Sequence, residues 1–367
     1  MARMRMLGIG VVATLLVVSG CGSQVSKSTD PSAAANDPVI YASGDIACDQ
    51  GGVSEAEAPR GTAAFPCEAQ QTADVITGAT SAAAVLALGD NQYQSGQLAE
   101  YLYTCPTQPP ASGCYNGFDY SWGKFLGGAR HPATTNILMP VTGNHDYTKN
   151  DGCNYCGSDY FAYFNGGTEQ APNPTGPAGT SLQGWYSKDI GSWHLIALNS
   201  ECSKAGIGCA AGTAQYKFLQ ADLAATNQPC IAAFWHEPLF SQGQEGGNPA
   251  VLPLWQLLEA KGADVILNGH NHDYERYQKE TDGQSPSATG IAQFVVGTGG
   301  AGLQKQSSSV VTPPQASIFV TSTSGGTHGV LQMTLHANSY DYKYLPTSDS
   351  TFSDASSSSI PCNAKTQ

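Results

Sequence analysis

The chain has 367 residues, of which 41% are hydrophobic, and a formal net charge of -13 at pH 7. Nucleic acids bind to basic surfaces, so this charge argues against nucleic acid as a stable partner. A small phosphate ester is not excluded, because bound metal ions can supply the positive charge. The 42 glycines and 21 prolines argue against a helical bundle and indicate a loop-rich α/β or all-β protein.

The N-terminus has the pattern of an exported lipoprotein. Arginines precede an apolar run over residues 7–18, which is too short to span a bilayer stably, and small residues then precede Cys21. This pattern resembles a bacterial lipoprotein signal peptide over residues 1–21, with Cys21 as the lipidated first residue of the mature protein. An ordinary cleaved signal peptide with an incidental cysteine is the alternative. We expect an extracytoplasmic protein of the cell envelope, held at the membrane by an N-terminal lipid anchor.

The rest of the chain divides into a tether, one domain and a tail. Residues 22–37 are small and polar, which predicts a flexible tether. Residues 38–345 contain the strand and helix patterns and no clean linker, so we expect a single domain there. The serine-rich residues 346–367 form a C-terminal tail, of which 346–361 is expected to be disordered or loosely held.

Strand and helix patterns alternate along the domain. Apolar runs bounded by turn residues predict strands over residues 38–43, 85–88, 137–141, 193–198, 231–235, 265–268, 291–296, 329–335 and 340–344. Helical spacing predicts helices over residues 68–79, 97–104, 119–127, 213–226 and 250–261. The stretch 150–180 is rich in glycine, proline and asparagine, and we expect a long irregular excursion there.

The cysteines indicate an oxidising compartment. The chain has eleven cysteines, and setting Cys21 aside leaves an even number that can pair completely. The expected pairs are Cys48–Cys67, Cys105–Cys114, Cys153–Cys156, Cys202–Cys209 and Cys230–Cys362. Sequence alone does not fix this connectivity. A redox or zinc pair is the alternative for Cys153 and Cys156.

Five of the predicted strands end in polar residues. These residues are Asp45, Asp90, Asn144 with His145, His236, and His270 with His272. In an open α/β sheet, ligands bind where the carboxyl ends of the strands converge. Each residue taken alone could be a turn former or a cap. Together they predict one shared site at the edge of a single sheet.

The residue types at these strand ends suit metal ions. Aspartate, asparagine and histidine, without cysteine, form a ligand set for iron, manganese or zinc. Seven or more ligands are too many for one ion. Two metal ions a few ångströms apart clamp a phosphoryl group, generate hydroxide at neutral pH and stabilise the leaving oxygen. The pattern therefore predicts hydrolysis of phosphate esters.

The motifs resemble a known family. Gly44-Asp45, Gly89-Asp90-Asn91-Gln92-Tyr93, Gly143-Asn144-His145-Asp146, His236 and Gly269-His270-Asn271-His272 resemble, in order, the five motifs of calcineurin-like metallophosphoesterases. The tyrosine of the second motif points to the purple acid phosphatase branch. The resemblance covers about residues 38–345 and implies a four-layer α/β/β/α sandwich, in which helices flank two mixed β-sheets. It makes residues 38–345 the catalytic domain.

The resemblance also implies two metal sites that share Asp90 as a bridge, with iron in one site and iron, zinc or manganese in the other. The first metal would be bound by Asp45, Asp90, Tyr93 and His272, and the second by Asp90, Asn144, His236 and His270. Hydroxide activated by the metals would attack the phosphorus. His145 would act as general acid or as a donor to the transition state, oriented by Asp146.

The chain departs from the family pattern at two positions. Ala47 stands where purple acid phosphatases have glycine and where the wider superfamily has a ligand histidine. Tyr93 can fill that vacancy on the first metal; its alternative role is that of a packed loop residue. Ala233 stands at the start of the Val-x-x-His motif that ends at His236.

The motifs leave the substrate open. We expect a phosphomonoesterase, with a phosphodiesterase or nucleotidase on the same metals as the alternative, because substrate choice lies in loops such as 105–118 and 150–180. A catalytically inactive surface-binding protein is a third reading. Arg276 is expected to pair with a nearby carboxylate rather than to touch substrate. Trp235, Tyr274 and Tyr277 either line the pocket or belong to the core.

Overall fold

The computed structural model describes residues 37–48, 67–78, 82–102, 117–127, 137–147, 157–282, 285–305, 316–321, 325–347 and 350–366. Asp37–Gln367 form one unit of tertiary contacts. The predicted signal peptide, Cys21, residues 22–36 of the tether and the pairs Cys105–Cys114 and Cys153–Cys156 lie outside the described residues. Within the described ranges, no helix is both long enough and apolar enough to cross a membrane.

The described chain alternates strands and helices. Its strands are β1 (Val39–Ser43), β2 (Ala82–Ala87), β3 (Leu138–Pro140), β4 (Gly167–Thr168), β5 (Ala171–Pro172), β6 (Thr175–Gly176), β7 (Gly179–Thr180), β8 (Tyr186–Ile190), β9 (Trp193–Ala197), β10 (Cys230–Phe234), β11 (Val265–Asn268), β12 (Tyr274–Arg276), β13 (Glu280–Thr281), β14 (Ser285–Pro286), β15 (Ala292–Val296), β16 (Ile318–Val320), β17 (Gly329–Leu335), β18 (Ser339–Pro346) and β19 (Ile360–Pro361). Its α-helices are α1 (Ala69–Thr77), α2 (Leu98–Tyr101), α3 (Lys124–Leu126), α4 (Ser158–Phe164), α5 (Ala214–Ala225) and α6 (Leu252–Lys261).

The strands form two large mixed sheets and three small hairpins. The six-stranded sheet has the order β19-β18-β17-β1-β2-β3, and the seven-stranded sheet has the order β16-β12-β15-β11-β10-β9-β8. Strands β1, β2 and β3 are parallel to one another. In the other sheet β9, β10, β11 and β15 are parallel. The carboxyl ends of the parallel strands are therefore the edges at which a site can form.

Alternating side chains on the strands build the layers. Ile40 of β1 and Leu267 of β11 belong to one core cluster, which fills the space between the two sheets. The neighbouring Tyr41 packs on the opposite face of its sheet with Ile76 of α1 and with α4. Ile266 packs outward against α5 and α6. Because successive strand residues point to opposite faces, each sheet is covered on both sides, and the predicted four-layer α/β/β/α sandwich is confirmed.

Within the stretch 150–180, the described residues 157–180 are more regular than their composition indicates. They contain α4, whose residues are all buried, and the two hairpins β4–β5 and β6–β7. The aromatic residues of α4 pack into the cluster on the outer face of the six-stranded sheet. The helix was not predicted, because it is short and the glycine, proline and asparagine of the adjoining hairpins dominate the composition of the stretch. The strands β8, β12 and β16 were also not predicted.

The C-terminal tail is fixed to the domain, so its interpretation as loosely held is wrong for the described residues. The Nε of Arg276 donates a hydrogen bond of 2.7 Å to Asp354, and strand β19 pairs with β18. A disulfide joins Cys230 to Cys362. This pairing and the predicted pairs Cys48–Cys67 and Cys202–Cys209 are confirmed. The tail is serine-rich, but its few polar anchors bind long-range partners.

The expected partner of Arg276 is confirmed, since this guanidinium binds the carboxylate of Asp354. Trp235, Tyr274 and Tyr277 are core residues, with at most 1% of their surface exposed. The hydroxyl of Tyr274 donates a hydrogen bond of 2.9 Å to the Oδ2 of Asp354. The reading of these aromatic residues as pocket-lining is therefore wrong.

Candidate metal centre

The polar strand ends come together, but they come from two sheets. Asp45 and Asp90 follow β1 and β2, and Asn144 follows β3, all in the six-stranded sheet. His236 follows β10, and His270 and His272 follow β11, in the seven-stranded sheet. The expectation of a single sheet edge is therefore wrong. The two sheets pack face to face with their parallel strands ending at the same side of the sandwich.

The backbone is strained where these residues leave the strands. Asp45, Asp90 and His270 have φ angles of 58°, 44° and 74°, and they are three of the five non-glycine residues with positive φ in the described chain. Such conformations cost about 1–3 kcal/mol each and persist where the surroundings dictate them. These three residues are all expected ligands. The unfavourable φ angles are therefore retained because they direct the side chains into the site.

Glycines next to these residues allow a close approach. A Cβ at Gly89 would lie 2.6 Å from the Nδ1 of His236, and a Cβ at Gly143 would overlap the carboxylate of Asp90. Gly89 also has a φ of 87°, which L side chains rarely adopt. The glycines of the second and third motifs are thus required by packing against the site itself.

The first group of donors surrounds the hydroxyl of Tyr93. This oxygen lies 2.8 Å from the Oδ1 of Asp45, 2.9 Å from the Oδ2 of Asp90 and 2.9 Å from the Nε2 of His272. The Nε2 of His272 is also 3.2 Å from the Oδ1 of Asp45. Tyr93 is fully buried, but its hydroxyl faces this polar cluster rather than apolar packing.

The second group of donors surrounds the side-chain oxygen of Asn144. This Oδ1 lies 3.1 Å from the Nε2 of His236 and 3.1 Å from the Nδ1 of His270. The Oδ2 of Asp90 lies 3.4 Å from the Nε2 of His236. The same Asp90 oxygen contacts Tyr93, so Asp90 stands between the two groups and touches both.

Two of the histidines are oriented by backbone carbonyls. The Nδ1 of His236 donates to the carbonyl of Leu88 at 2.8 Å, and the Nδ1 of His272 donates to the carbonyl of Gly302 at 2.8 Å. A hydrogen bond at one ring nitrogen fixes the tautomer and leaves a lone pair on the other nitrogen. Each Nε2 is thereby aimed at the cluster.

The two carboxylates are buried but remain charged. Burial acts against the charged form of Asp45, but the imidazole of His272 lowers its pKa below the ordinary value. Burial likewise acts against the charged form of Asp90, while His236 and His145 hold its pKa far below the ordinary range. In the described chain their ion-pair partners are histidines, and two of these, His236 and His272, are expected metal ligands.

The hydroxyl of Tyr93 keeps its proton in this environment. Burial, followed by the charges of Asp45 and Asp90, raises the pKa of Tyr93 well above its ordinary value. For His236, burial alone would lower the pKa, but the charge of Asp90 raises it well above the ordinary value. Metal ligands must lose such protons before they coordinate. Metal binding here is therefore expected to release protons and to weaken as the pH falls.

The donor set fits metal ions. Oxygen or nitrogen atoms of Asp45, Asp90 and His236 lie within 4.8 Å of one another, and all three residues are buried. Carboxylate, amide, phenol and imidazole donors suit iron, zinc and manganese. The buried charges of two carboxylates also require cationic partners, and a metal ion meets that requirement.

His145 lies at the same cluster and is held by the backbone. Its Nδ1 lies 2.6 Å from the carbonyl oxygen of Gln94, to which it donates. Its Nε2 lies 3.9 Å from the Oδ2 of Asp90, and its backbone N–H donates to the Oδ1 of Asp90 at 2.9 Å. The nitrogen that faces the site is therefore Nε2.

The expectation that Asp146 orients the His145 ring directly is wrong. The oxygens of Asp146 accept hydrogen bonds from the hydroxyl of Tyr101 at 2.7 Å and from the N–H of Gly143 at 2.9 Å. Burial and the charge of Asp90 raise the pKa of Asp146 to about 7. Asp146 therefore stabilises the turn that carries Asn144 and His145, instead of holding the imidazole.

A cavity of about 380 Å³ adjoins the cluster, and His270 is part of its lining. Three glutamates line it as well, namely Glu201, Glu237 and Glu245. Burial and the charge of Glu237 raise the pKa of Glu201 to about 9. The sequence interpretation missed Glu201, although it follows β9 just as the expected ligands follow their strands.

The fold and the motifs define a class of protein. The calcineurin-like phosphoesterase family matches residues 69–274, which is more than half of the 367 residues. The chain therefore belongs to that family. Within it, the chain is similar to the purple acid phosphatases. Purple acid phosphatase 15 of Arabidopsis thaliana is 28% identical over 233 residues, which cover 59% of this chain and 40% of that protein.

Two further comparisons agree with this assignment. Probable inactive purple acid phosphatase 1 of Arabidopsis thaliana is 29% identical over 218 residues, which cover 52% of this chain and 33% of that protein. The chain thus spans less than half the length of these two curated relatives. The solved purple acid phosphatase PPD1 from yellow lupin (Lupinus luteus) has a TM-score of 0.61 at 20% identity, over 87% of this chain and 53% of that chain, which shows the shared fold.

Proposed function

We propose that the protein hydrolyses phosphate monoesters at a centre of two metal ions. The observation that carries this proposal is the division of the donors into two groups that share Asp90. One group contains Asp45, Tyr93 and His272, and the other contains Asn144, His236 and His270. A carboxylate that touches both groups is suited to bridge two ions, because its two oxygens can bind separately.

The residues would bind iron in the group with Tyr93 and iron, zinc or manganese in the other group. When bound, such ions polarise the phosphoryl group and supply a nucleophile at neutral pH. His145 then moves the proton that the reaction requires. Its Nδ1 donates to the carbonyl of Gln94, so Nε2 is the ring nitrogen that would transfer a proton to the leaving oxygen. General acid catalysis of this kind contributes about 10²–10⁴ to the rate.

Family membership alone does not decide whether the chain is an enzyme, since one relative is described as probably inactive. The side chains favour activity. The motifs lack none of the seven expected ligands, and the Nε2 of His145 lies at the cluster, 3.9 Å from Asp90. A surface-binding protein would have no need for the positive φ angles of Asp45, Asp90 and His270.

The proposal is tested with purified protein that is loaded in turn with iron, iron and zinc, and iron and manganese. We expect hydrolysis of p-nitrophenyl phosphate, at a higher kcat/KM than that of bis(p-nitrophenyl) phosphate or of AMP. Faster hydrolysis of the diester, or of AMP, would favour the phosphodiesterase or nucleotidase reading. No hydrolysis of any ester by metal-loaded protein would contradict the proposal.

The visible spectrum of the iron-loaded protein tests the assignment of Tyr93. A tyrosinate bound to ferric iron gives a visible charge-transfer band, and we expect Tyr93→Phe to abolish it. An active protein that contains no iron and has no such band would favour a zinc or manganese centre.

For the N-terminus we propose a lipoprotein signal over residues 1–21, a tether over 22–37 and attachment to the cell envelope through Cys21. The support is the sequence pattern alone. Expression of the full chain in a bacterial host, with labelling by radioactive palmitate, tests this proposal. Label in the wild type and none in Cys21→Ser is the expected result, and an unlabelled wild type would contradict it.

A further inference from the structure

The disulfide between Cys48 and Cys67 lies next to the ring of Tyr93. Cys48 and Tyr93 belong to one small buried cluster, and Cys67 packs against it. The same ring also contacts two imidazoles of the candidate centre, those of His145 and His272, with ring centroids 4.6 Å and 5.6 Å away. The ring of Tyr93 thus has both the disulfide and the metal centre as immediate neighbours.

The backbone that leads to the disulfide pairs with the backbone that carries Tyr93. The N–H of Ala47 donates to the carbonyl of Asn91 at 3.1 Å, and the N–H of Tyr93 donates to the carbonyl of Ala47 at 2.8 Å. The Nε2 of Gln92 donates to the carbonyl of Cys48 at 3.1 Å. These bonds fix the position of Cys48 relative to Tyr93.

The other half of the disulfide is anchored as well. Glu68, the residue after Cys67, donates its N–H to the carbonyl of Gly300 at 2.9 Å. The Sγ of Cys48 lies 3.6 Å from the same carbonyl oxygen. Because a disulfide is a covalent bridge of restricted geometry, it gives the ring of Tyr93 a rigid neighbour.

The hydroxyl of Tyr93 requires accurate placement. It lies within 2.9 Å of oxygen or nitrogen atoms of Asp45, Asp90 and His272. The phenol oxygen is several bonds away from the backbone, so a small tilt of the ring would displace it from a metal ion held by these donors. Removing a group that orients a ligand without binding the metal itself typically weakens metal binding about 10–100-fold.

The donors around Asn144 are oriented by other elements. The Nδ1 of His236 donates to the carbonyl of Leu88 at 2.8 Å. Asn144 itself lies in the turn that Asp146 stabilises by accepting from the N–H of Gly143 at 2.9 Å. A change at the disulfide is therefore expected to act on the donors around Tyr93 and to spare those around Asn144.

We propose that the Cys48–Cys67 disulfide is a positioning element of the metal centre, which holds the hydroxyl of Tyr93 where a metal ion can bind it. This inference rests on the metal centre of the proposed function but not on its substrate. A disulfide that only stabilised the fold would affect the binding of both metal ions alike.

The test compares the retention of the two metal ions by full-length protein loaded with iron and zinc. The protein is dialysed against increasing concentrations of citrate, and both metals are measured by elemental analysis. The ion whose retention falls in Tyr93→Phe is assigned to the donors around Tyr93. We expect Cys48→Ala/Cys67→Ala to lose this ion at about 10–100-fold lower citrate than the wild type and to retain the other ion as the wild type does.

Three results would overturn the inference. They are wild-type retention of both ions in the double variant, an equal loss of both ions, and a Tyr93→Phe variant in which the retention of neither ion changes. As a spectroscopic check on the ferric protein, the tyrosinate band is expected to weaken or shift in the double variant.

Cys230→Ala/Cys362→Ala is the matched control. Cys230 and Cys362 are 132 positions apart in the chain, whereas Cys48 and Cys67 are 19 apart. Loss of the longer closed loop is expected to cost at least as much stability through the unfolded state, yet to change the retention of either ion by about twofold or less. A loss in the control equal to that in Cys48→Ala/Cys67→Ala would show that stability is responsible, and would refute the inference.

Removal of the disulfide in the Tyr93→Phe background tests whether the effect passes through the hydroxyl. The further loss of the same ion is expected to be about threefold or less, because the positioned oxygen is already absent. A loss of about tenfold or more in this background would contradict the assignment to Tyr93.

A milder variant keeps the inference testable if Cys48→Ala/Cys67→Ala does not fold, as judged by circular dichroism. Cys67→Ala removes the bond but leaves the buried side chain of Cys48 against Tyr93. The same selective loss is expected, and wild-type retention would overturn the inference. Metal-loaded protein that hydrolyses no ester would contradict the proposed function alone, since metal retention is measured without substrate.

Discussion

Two buried histidines beside aspartates show what separates a metal ligand from a structural residue. The Nδ1 of His194 bonds to Asp189 at 2.6 Å and its Nε2 bonds to Asp222 at 2.8 Å. His236 uses its Nδ1 for the carbonyl of Leu88, and its Nε2 faces two acceptors, the Oδ1 of Asn144 at 3.1 Å and the Oδ2 of Asp90 at 3.4 Å. Both ring nitrogens of His194 bind carboxylates outside the metal centre, whereas the Nε2 of His236 faces two other expected metal ligands.

The surroundings differ in the same way. The carboxylates at His194 are unequally exposed, and the side chain of Asp189 is 54% accessible, so solvent screens this network. At His236 the neighbouring Asp90 is only 2% exposed and has a strained backbone. The networks around His194 and His236 both combine a buried histidine with aspartates, so residue type alone does not distinguish them. The convergence of expected ligands on the Nε2 of His236, the burial of Asp90 and its strained backbone mark the second network as the candidate functional site.

The largest expected effect comes from removing the aspartate beside each of the two histidines. We expect Asp90→Ala to lose bound metal and to lower kcat/KM for p-nitrophenyl phosphate by about a thousandfold or more, because both groups of donors share this carboxylate. The matched control Asp222→Ala removes a carboxylate from His194 and is expected to retain metal content and activity. Metal content and initial rates of the two variants are the measurements. Normal metal content in Asp90→Ala would contradict the shared role.

The next effect concerns His145. We expect His145→Ala to retain metal and to lower kcat about 10²–10³-fold, because the Nε2 proton is lost from the leaving-group side. An activated ester such as p-nitrophenyl phosphate needs less proton donation than an alkyl ester, so the loss is expected to be greater with n-propyl phosphate. Turnover equal to that of the wild type with both esters would remove His145 from the mechanism.

The smallest expected effect concerns the contribution of His194 to the stability of the fold. Burial tends to lower the pKa of His194, but its hydrogen bonds to Asp222 and Asp189 raise it above the ordinary value. The charged imidazole therefore stabilises the fold below about pH 6.5, the pKa in the unfolded chain, and this stabilisation is lost as the pH rises through the higher folded pKa. We expect His194→Gln to lower the free energy of unfolding by about 1–3 kcal/mol at pH 6.

Denaturant unfolding of the wild type and His194→Gln between pH 6 and pH 9 measures this effect. The difference in the free energy of unfolding should shrink as the pH rises, while kcat/KM stays equal to that of the wild type. A difference that grows with pH would show that the imidazole is neutral in the folded protein. A change in metal content would show that the two networks are coupled.

The ligand residues were predictable because their signal is local. Asp45, Asp90 and His236 each follow a buried apolar strand within a few residues, and the chain order of the motifs identified the rest. The division between two sheets was not predictable from local pattern. It depends on long-range pairing, such as that of Val39 in β1 with Thr334 in β17, which apolar periodicity does not encode.

Other misses have the same cause. Asp146 is adjacent to His145 in sequence, but in the tight turn Asn144–Tyr147 its side chain reaches Tyr101, so sequence proximity did not imply contact. The tail has the composition of a disordered segment, yet Asp354 binds Arg276 across 78 positions of the chain. Single polar contacts of this kind leave no periodic trace in the sequence.

The most direct test of the central claim is a crystal structure of metal-loaded protein, with anomalous maps recorded at the iron and zinc absorption edges. Two peaks are expected, one beside Asp45, Tyr93 and His272 and one beside Asn144, His236 and His270, with Asp90 between them. A single peak, or two peaks that do not share Asp90, would contradict a dinuclear centre built from the ends of two sheets.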